Sequence, residues 1–306
     1  MTYLVTGGTG FIGAHTVRLI EEKGEDVVVY DSVPDTVLLQ RLSGRTINQT
    51  ITVVKGDITD LDHLKKICDQ YEIDKVIHTA AIIGSENPPL TVKVNCDGTM
   101  NILEVARLLG IERVVLTSSV AVFGNINQYK DGFVKNDAPH YPKSIYGACK
   151  SHNEACAEYY FRQYGLDTVA IRFPHVYGGG RKRGFGSVLD EELIIKPLTG
   201  KPGRVPNGGI THNWLYVKDA AKALVMASMS GKAETRAFTA SGEIHPVPEV
   251  AEYIKSLVPG VKIDLMPGGT GIGLPYKYDP GPIKREIGFK PDWTVERALK
   301  DIIKYI

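Results

Sequence analysis

Through the first 175 positions, apolar residues fall in short, nearly unbroken runs separated by longer stretches of mixed polarity. YLVT (3–6), DVVVY (26–30), ITVVKG (51–56), KVIHTA (75–80), RVVLTSS (113–119) and TVAIRF (168–173) read as strands. Their hydrophobicity is continuous rather than alternating, which predicts strands covered on both faces and so a parallel sheet. GAHTVRLIEEKG, DLDHLKKICDQY, DGTMNILEVARLLG and YGACKSHNEACAEYYFRQYG lie between them and read as helices, several closing on glycine. This βαβ alternation predicts an α/β protein with a doubly wound parallel sheet and right-handed crossovers.

After Phe173 the texture changes. Glycine and proline become frequent through 174–210 and punctuate irregular structure. WLYVKDAAKALVMASM (214–229) reads as a strand and a helix returning to the main sheet. Short strands and helices near PEVAEYIKSLV and TVERALKDIIKYI then complete a smaller α/β lobe. The expected division is 1–173, rejoined by 211–240, against a smaller domain made of 174–210 and 241–306. A ligand cleft is expected between the two.

Composition narrows the function classes. A chain of 306 residues with 43% hydrophobic and 23% charged residues is ordinary for a globular protein. The formal net charge of +1 offers no field for nucleic acid or an anionic membrane. No apolar run approaches the ~20 residues a bilayer requires, and MTYLVTGG lacks the regions of a signal peptide. Cys68, Cys96, Cys149 and Cys156 form no metal-binding spacing and read as free thiols. A cytoplasmic protein without a metal is the expectation.

VTGGTGFIG places Gly7, Gly10 and Gly13 directly after a strand and at the start of a helix. Glycines there permit a tight turn and close approach to a pyrophosphate, and the helix N-terminus offers free amides and a positive dipole end. Asp31 ends the next strand, 18 positions after Gly13, where a carboxylate can accept hydrogen bonds from the adenosine ribose. It would repel a 2′-phosphate, and no arginine follows it immediately, so the expected cofactor is NAD rather than NADP. Asp57 either faces the adenine or closes the DITD turn.

SIYGACK puts Tyr146 and Lys150 four apart, on one helix face. A free phenol titrates near pH ~10, too high for a proton acceptor at neutral pH. A lysine ammonium and a nicotinamide cation nearby would favour the phenolate. Such a tyrosine can take a proton from a hydroxyl while the carbon beside it gives up a hydride. Ser119, at the strand end within VLTSSVAVFG (115–124), can orient the reacting oxygen, with Ser118 as a near neighbour.

GGTGFIG, HTAA, VNCDGTMNILEVAR, TSSVAVFG, YGACK and RFPHVYG together resemble the extended short-chain dehydrogenase/reductase family in its NAD-dependent epimerase/dehydratase branch. The likeness continues through TGKPGRVPNGG, WLYVKDAAKAL and EIGFKPDWTVERAL to the end of the chain. It implies a Rossmann-type NAD domain, a smaller carboxy-terminal substrate domain and a homodimer through a four-helix bundle. Gly7, Gly10, Phe11, Ile12, Gly13, Asp31, Asp57, Ile58, Ala80, Tyr146, Lys150 and Pro174 match cofactor-contacting positions. Ser119, Tyr146 and Lys150 match the catalytic set, and Asn95 matches an asparagine that supports the site from beneath.

Two departures bear on the reaction. Sugar 4,6-dehydratases carry Thr-Asp-Glu where this chain has Ser119, Val120 and Ala121, so elimination of water lacks its acids. Epimerases of the family usually carry asparagine at His175 and an Arg-Asp pair at His212-Asn213. Without that arginine a diphosphate loses a charge-assisted contact. Candidate substrate contacts are Ser118, Ser119, His175, Arg181 and His212, with the RKR loop (181–183) as a source of positive charge. The expected function is NAD-dependent hydride transfer at a secondary carbinol or ketone carbon of a small carbohydrate-like or hydroxy-acid substrate. A nucleotide-sugar 4-epimerase with tightly held NAD is the alternative, and a non-catalytic NAD-binding sensor or scaffold a second one.

Overall fold

A computed structural model describes residues 1–43, 51–84, 86–181, 184, 186–231, 233–268 and 275–306. The first half alternates β1 (Thr2–Thr6), α1 (Phe11–Glu22), β2 (Asp26–Asp31), α2 (Val37–Ser43), β3 (Ile51–Lys55), α3 (Leu61–Gln70), β4 (Lys75–His78), α4 (Pro88–Val92), α5 (Gly98–Leu109) and β5 (Arg113–Ser119). β6 (Phe133–Val134), α6 (Ile145–Tyr164), β7 (Asp167–Phe173) and β8 (His175–Tyr177) follow. All six strands expected from apolar runs form, and with β11 (Ala237–Thr239) they make one sheet in the order β11-β7-β5-β4-β1-β2-β3. Every pair in it is parallel.

Period-two alternation explains the continuous runs. Tyr3, Val5, Val27, Val29, Ile77, Val115, Val169 and Ile171 face one buried cluster, whereas Leu4, Val28, Tyr30, Val76, Val114, Leu116 and Ala170 face a second. α1 covers the first face together with α9 (Val217–Met229), while α3, α5 and α6 cover the second. The chain runs outward from β1 to β3 and then crosses back to β4, so the switch point lies between the loops after β1 and β4.

The strand at β10 (Thr211–Tyr216) departs from expectation. It pairs in parallel with β8 and antiparallel with β12 (Glu243–Pro246), forming a separate three-stranded sheet. What returns to the main sheet is α9, packed on its face, and β11, paired along its edge with β7. The smaller lobe also holds α7 (Ser187–Leu189), α8 (Lys196–Leu198), β9 (Gly203–Val205), α10 (Val247–Leu257), β13 (Ile263–Leu265), β14 (Lys277–Tyr278) and α11 (Val295–Ile302). One apolar cluster runs from Val17 and Ile20 of α1 through Ala220 of α9 to Val250 and Leu299, so the two lobes share a core. Besides one at Ile283–Ile287, π-helical turns interrupt the helices at Lys93–Asp97 and Asp190–Ile195. Such turns often sit at functional sites, and the latter two carry Asn95 and Asp190.

Candidate active site

At the switch point the backbone comes unusually close. Gly7 has φ +65°, and a Cβ on it would lie 2.8 Å from both Cα and N of Ala80. A Cβ on Gly13 would lie 2.2 Å from the Gly7 carbonyl oxygen. Only glycine allows this turn and lets α1 begin against it. Gly10 caps α1 without a capping side chain, so the first amides of the helix, at Phe11 and Ile12, point out unpaired by helix geometry. These amides and the glycine cradle fit a pyrophosphate.

Asp31 sits at the end of β2, half-buried beside this cradle. Its carboxylate accepts from Thr9 Oγ1 at 2.6 Å, Thr9 N at 3.2 Å and Val33 N at 3.1 Å. The carboxylate is thereby fixed in place, with lone pairs left for ribose hydroxyls. Asp57 Oδ1 accepts from the amide and hydroxyl of Thr59, both at 2.9 Å, so it closes its own turn. Ile58 is buried against Gly98, at the start of α5. The residues present fit NAD.

The Ser–Tyr–Lys set comes together where β5 ends and α6 begins. Ser144 caps α6 by accepting from Gly147 N at 3.0 Å. A Cβ on Gly147 would lie 2.2 Å from the Ala121 carbonyl oxygen, so glycine there lets the helix press against the turn after Ser119. Ser119 accepts from Ala121 N at 3.1 Å and hydrogen-bonds to the Tyr146 phenol. Burial pushes Tyr146 up to about 12, against the Ser119 bond and the positive charge of Arg181. Lys150 is buried, donates to the Thr117 carbonyl at 2.7 Å, and lies 5.6 Å from the centre of the Tyr146 ring. Burial pulls its ammonium down to about 8. Lys150 thus stands close to the Tyr146 ring, and Arg181 adds a second positive charge toward the phenol.

Ser118 is corrected. Strand alternation turns it away from Ser119, and its hydroxyl donates to Glu154 in the interior, so it is not a cleft residue. Glu154 is gripped by Arg172 through Nε at 3.0 Å and Nη2 at 2.7 Å. Beneath the site, Asn95 holds Ile82 from both sides, accepting its amide at 2.8 Å and donating to its carbonyl at 2.9 Å. Asn153 ties α6 to the same turn through the Asn95 carbonyl at 2.8 Å. Asn153 and Glu154 follow Lys150 by three and four positions on one helix face, a spacing that could have revealed them.

On the opposite wall, Pro174 is half-buried at the bend between β7 and β8. His175 Nε2 lies 2.9 Å from Oδ1 of Asp190, a carboxylate the sequence did not single out. Its ring is 5.3 Å from that of His212, and both meet Trp214 edge-on. Burial, with the neighbouring His175 as a lesser cause, pulls His212 down to about 3, so it is neutral. Arg181 turns inward instead of lining an outer rim. It donates to the Val176 carbonyl, lies 3.6 Å from Asp190 Oδ2 and sits 6.0 Å above the Phe11 ring. Lys182 and Arg183, the rest of the basic loop, lie outside the described residues.

Comparison with known proteins agrees with this geometry. The sequence profile of the NAD dependent epimerase/dehydratase family matches residues 3–238. A putative UDP-glucose 4-epimerase from Methanocaldococcus jannaschii is 31% identical, covering 99% of this chain and 97% of that protein. A dTDP-glucose 4,6-dehydratase from Salmonella typhimurium is 29% identical over 100% of this chain and 92% of its own length. The crystal structure of Thermus thermophilus UDP-glucose 4-epimerase complexed with NAD superimposes with a TM-score of 0.82 at 25% identity, covering 100% of this chain and 98% of that one. With its glycine cradle, ribose carboxylate and Ser–Tyr–Lys set in place, this chain belongs to the NAD-dependent epimerase/dehydratase family of extended short-chain dehydrogenases/reductases and is an NAD-dependent enzyme.

Proposed function

We propose that the enzyme interconverts a secondary alcohol and a ketone on a small, polar, carbohydrate-like or hydroxy-acid substrate. The observation that carries this reading is the convergence of Ser119 and Lys150 on Tyr146 beside the cradle. Bound NAD supplies the hydride acceptor and a positive charge beside the phenol. Gly7, Gly10, Phe11, Ile12, Gly13, Asp31 and Ala80 hold it, with Pro174 against the nicotinamide end and Asp57 and Ile58 toward the adenine. Ser119 orients the carbinol oxygen toward Tyr146. The Tyr146 oxygen takes the hydroxyl proton as the hydride leaves carbon and the C–O bond becomes C=O. Lys150 stabilises the phenolate from below.

In this reading residues 1–173, with 211–240, carry the cofactor, and 174–210 with 241–306 carry the substrate. The protein is a cytoplasmic homodimer built on α5 and α6, whose exposed Leu108, Tyr159 and Tyr164 suit a four-helix interface. No helix among the described residues is long and apolar enough to cross a membrane.

The second reading is a nucleotide-sugar 4-epimerase, favoured by the 31% identical relative named as one. Neutral His212, where such epimerases usually place an arginine, favours the first. Incubation with NAD and a panel of polyols, hydroxy acids and UDP-sugars separates them. Net NADH formation supports the dehydrogenase, and an altered sugar without NADH supports the epimerase. Activity undiminished in Tyr146→Phe defeats both.

A further inference from the structure

His175 emerges where a substrate must lie. The β5–β7 register ends with Ser119 opposite Phe173, so His175 stands two residues beyond that pair, at the carboxyl end of the sheet. Ligands of open α/β sheets bind there. The imidazole is 11% exposed and its partner Asp190 1% exposed, so the pair is shielded but not sealed. A buried carboxylate at 2.9 Å from Nε2 accepts the Nε2 proton and thereby fixes the tautomer. Among the described residues no group bonds Nδ1. Gly186 passes close to that edge without a side chain to fill it: a Cβ there would lie 2.5 Å from Cε1, 2.7 Å from Arg181 Nη1 and 2.8 Å from Nδ1.

We propose that His175 is a specificity-determining residue whose Nδ1 lone pair, aimed by Asp190, accepts a hydrogen bond from a second hydroxyl of the substrate. The enzyme then selects a polyhydroxylated substrate over its deoxy counterpart. This rests on the hydride-transfer reading, because the second hydroxyl is placed relative to the carbon that Tyr146 and Ser119 address. The groups facing the imidazole are consistent with it. Asp190 is the anion on Nε2, Arg181 lies beside that carboxylate and along the Gly186 side of the ring, and His212 and Trp214 are neutral rings alongside. Neither ring offers Nδ1 a fixed partner in this structure.

Asp190→Asn gives a sharp test. Arg181, 3.6 Å from Oδ2, favours the amide oxygen of the new side chain on its own side. That turns the NH2 group toward Nε2, which must become the acceptor, and the proton moves to Nδ1. The acceptor offered to the substrate becomes a donor.

The experiment is a long-range proton–nitrogen spectrum of protein labelled with nitrogen-15 histidine, loaded with NAD, in mildly alkaline buffer. His175→Asn and His212→Asn assign the two neighbouring rings. Glycerol serves as the hydroxylated probe and propane-1,3-diol as its deoxy counterpart. The wild type is expected to show His175 as the Nε2–H tautomer, and glycerol to perturb its Nδ1 resonance saturably at about tenfold lower concentration than propane-1,3-diol. Asp190→Asn is expected to show the Nδ1–H tautomer and to lose that preference. Gly186→Ala, which leaves Asp190 in place, is expected to keep the tautomer but lose the glycerol response. An Nδ1–H or doubly protonated ring in the wild type, or equal responses to the two probes, overturns the proposal. Loss of turnover in Tyr146→Phe tests the hydride-transfer reading separately, because that variant leaves the His175 resonances unchanged.

Discussion

Replacing Lys150 with methionine should stabilise the cofactor-free protein while destroying its activity. The ammonium is 3% exposed, and its hydrogen bond is to the Thr117 carbonyl. Burial pulls its pKa from 10.5 to about 8. At about 1.4 kcal/mol per pH unit, holding the charge inside costs the folded state about 3 kcal/mol near neutral pH. Below about pH 8 the lysine is protonated in both states and the whole penalty stands. Between about 8 and 10.5 the unfolded chain binds more protons than the folded one, so stability rises with pH and the penalty fades. Methionine removes the charge, keeps most of the stem, and loses one hydrogen bond, at a cost of about 1 kcal/mol. The net gain near pH 7 is about 2 kcal/mol, shrinking toward a small loss near pH 10. Urea unfolding of the cofactor-free variant and wild type at both pH values measures it. A variant less stable than wild type near pH 7, or stabilised equally at both, refutes the reasoning.

Gly147→Ala should push the start of α6 away from the Ala121 carbonyl, 2.2 Å from the added methyl. The expected cost is about 1–3 kcal/mol in thermal unfolding, with a fall in turnover but unchanged NAD affinity by calorimetry. Arg172→Met should leave Glu154 buried without its guanidinium and cost about 3–5 kcal/mol at neutral pH. Acidification should recover part of that loss, since a protonated Glu154 needs no counter-charge; urea midpoints across pH report it.

Local pattern made much of this site legible. β-branched runs marked all six strands of the first half, and Gly7, Gly10 and Gly13 could be assigned because a strand–glycine–helix junction has few other uses. Tyr146 and Lys150 were legible because helical spacing puts them on one face. Partnerships set by distant chain segments were hidden. β10 ends in the apolar run Trp214–Leu215–Tyr216, yet it pairs with β8 and β12 rather than joining the main sheet. Ser118 and Ser119 look alike in sequence, and strand alternation alone separates the interior donor to Glu154 from the residue at Tyr146. Asp190 meets His175 from inside a π-helical turn, a geometry with no signature in the residues around it. Arg181 read as part of a surface loop because its neighbours are basic, but its own carbonyl and carboxylate partners draw it inward.

The most direct test of the central claim is a single-turnover quench using a panel substrate deuterated at its reacting carbinol carbon. Mass spectrometry of the extracted nucleotide reports where the label has gone. The account predicts deuterium on the reduced nicotinamide of the wild type and none with Tyr146→Phe, although both proteins bind NAD equally. Label released to solvent, or transferred undiminished without the phenol, would contradict it.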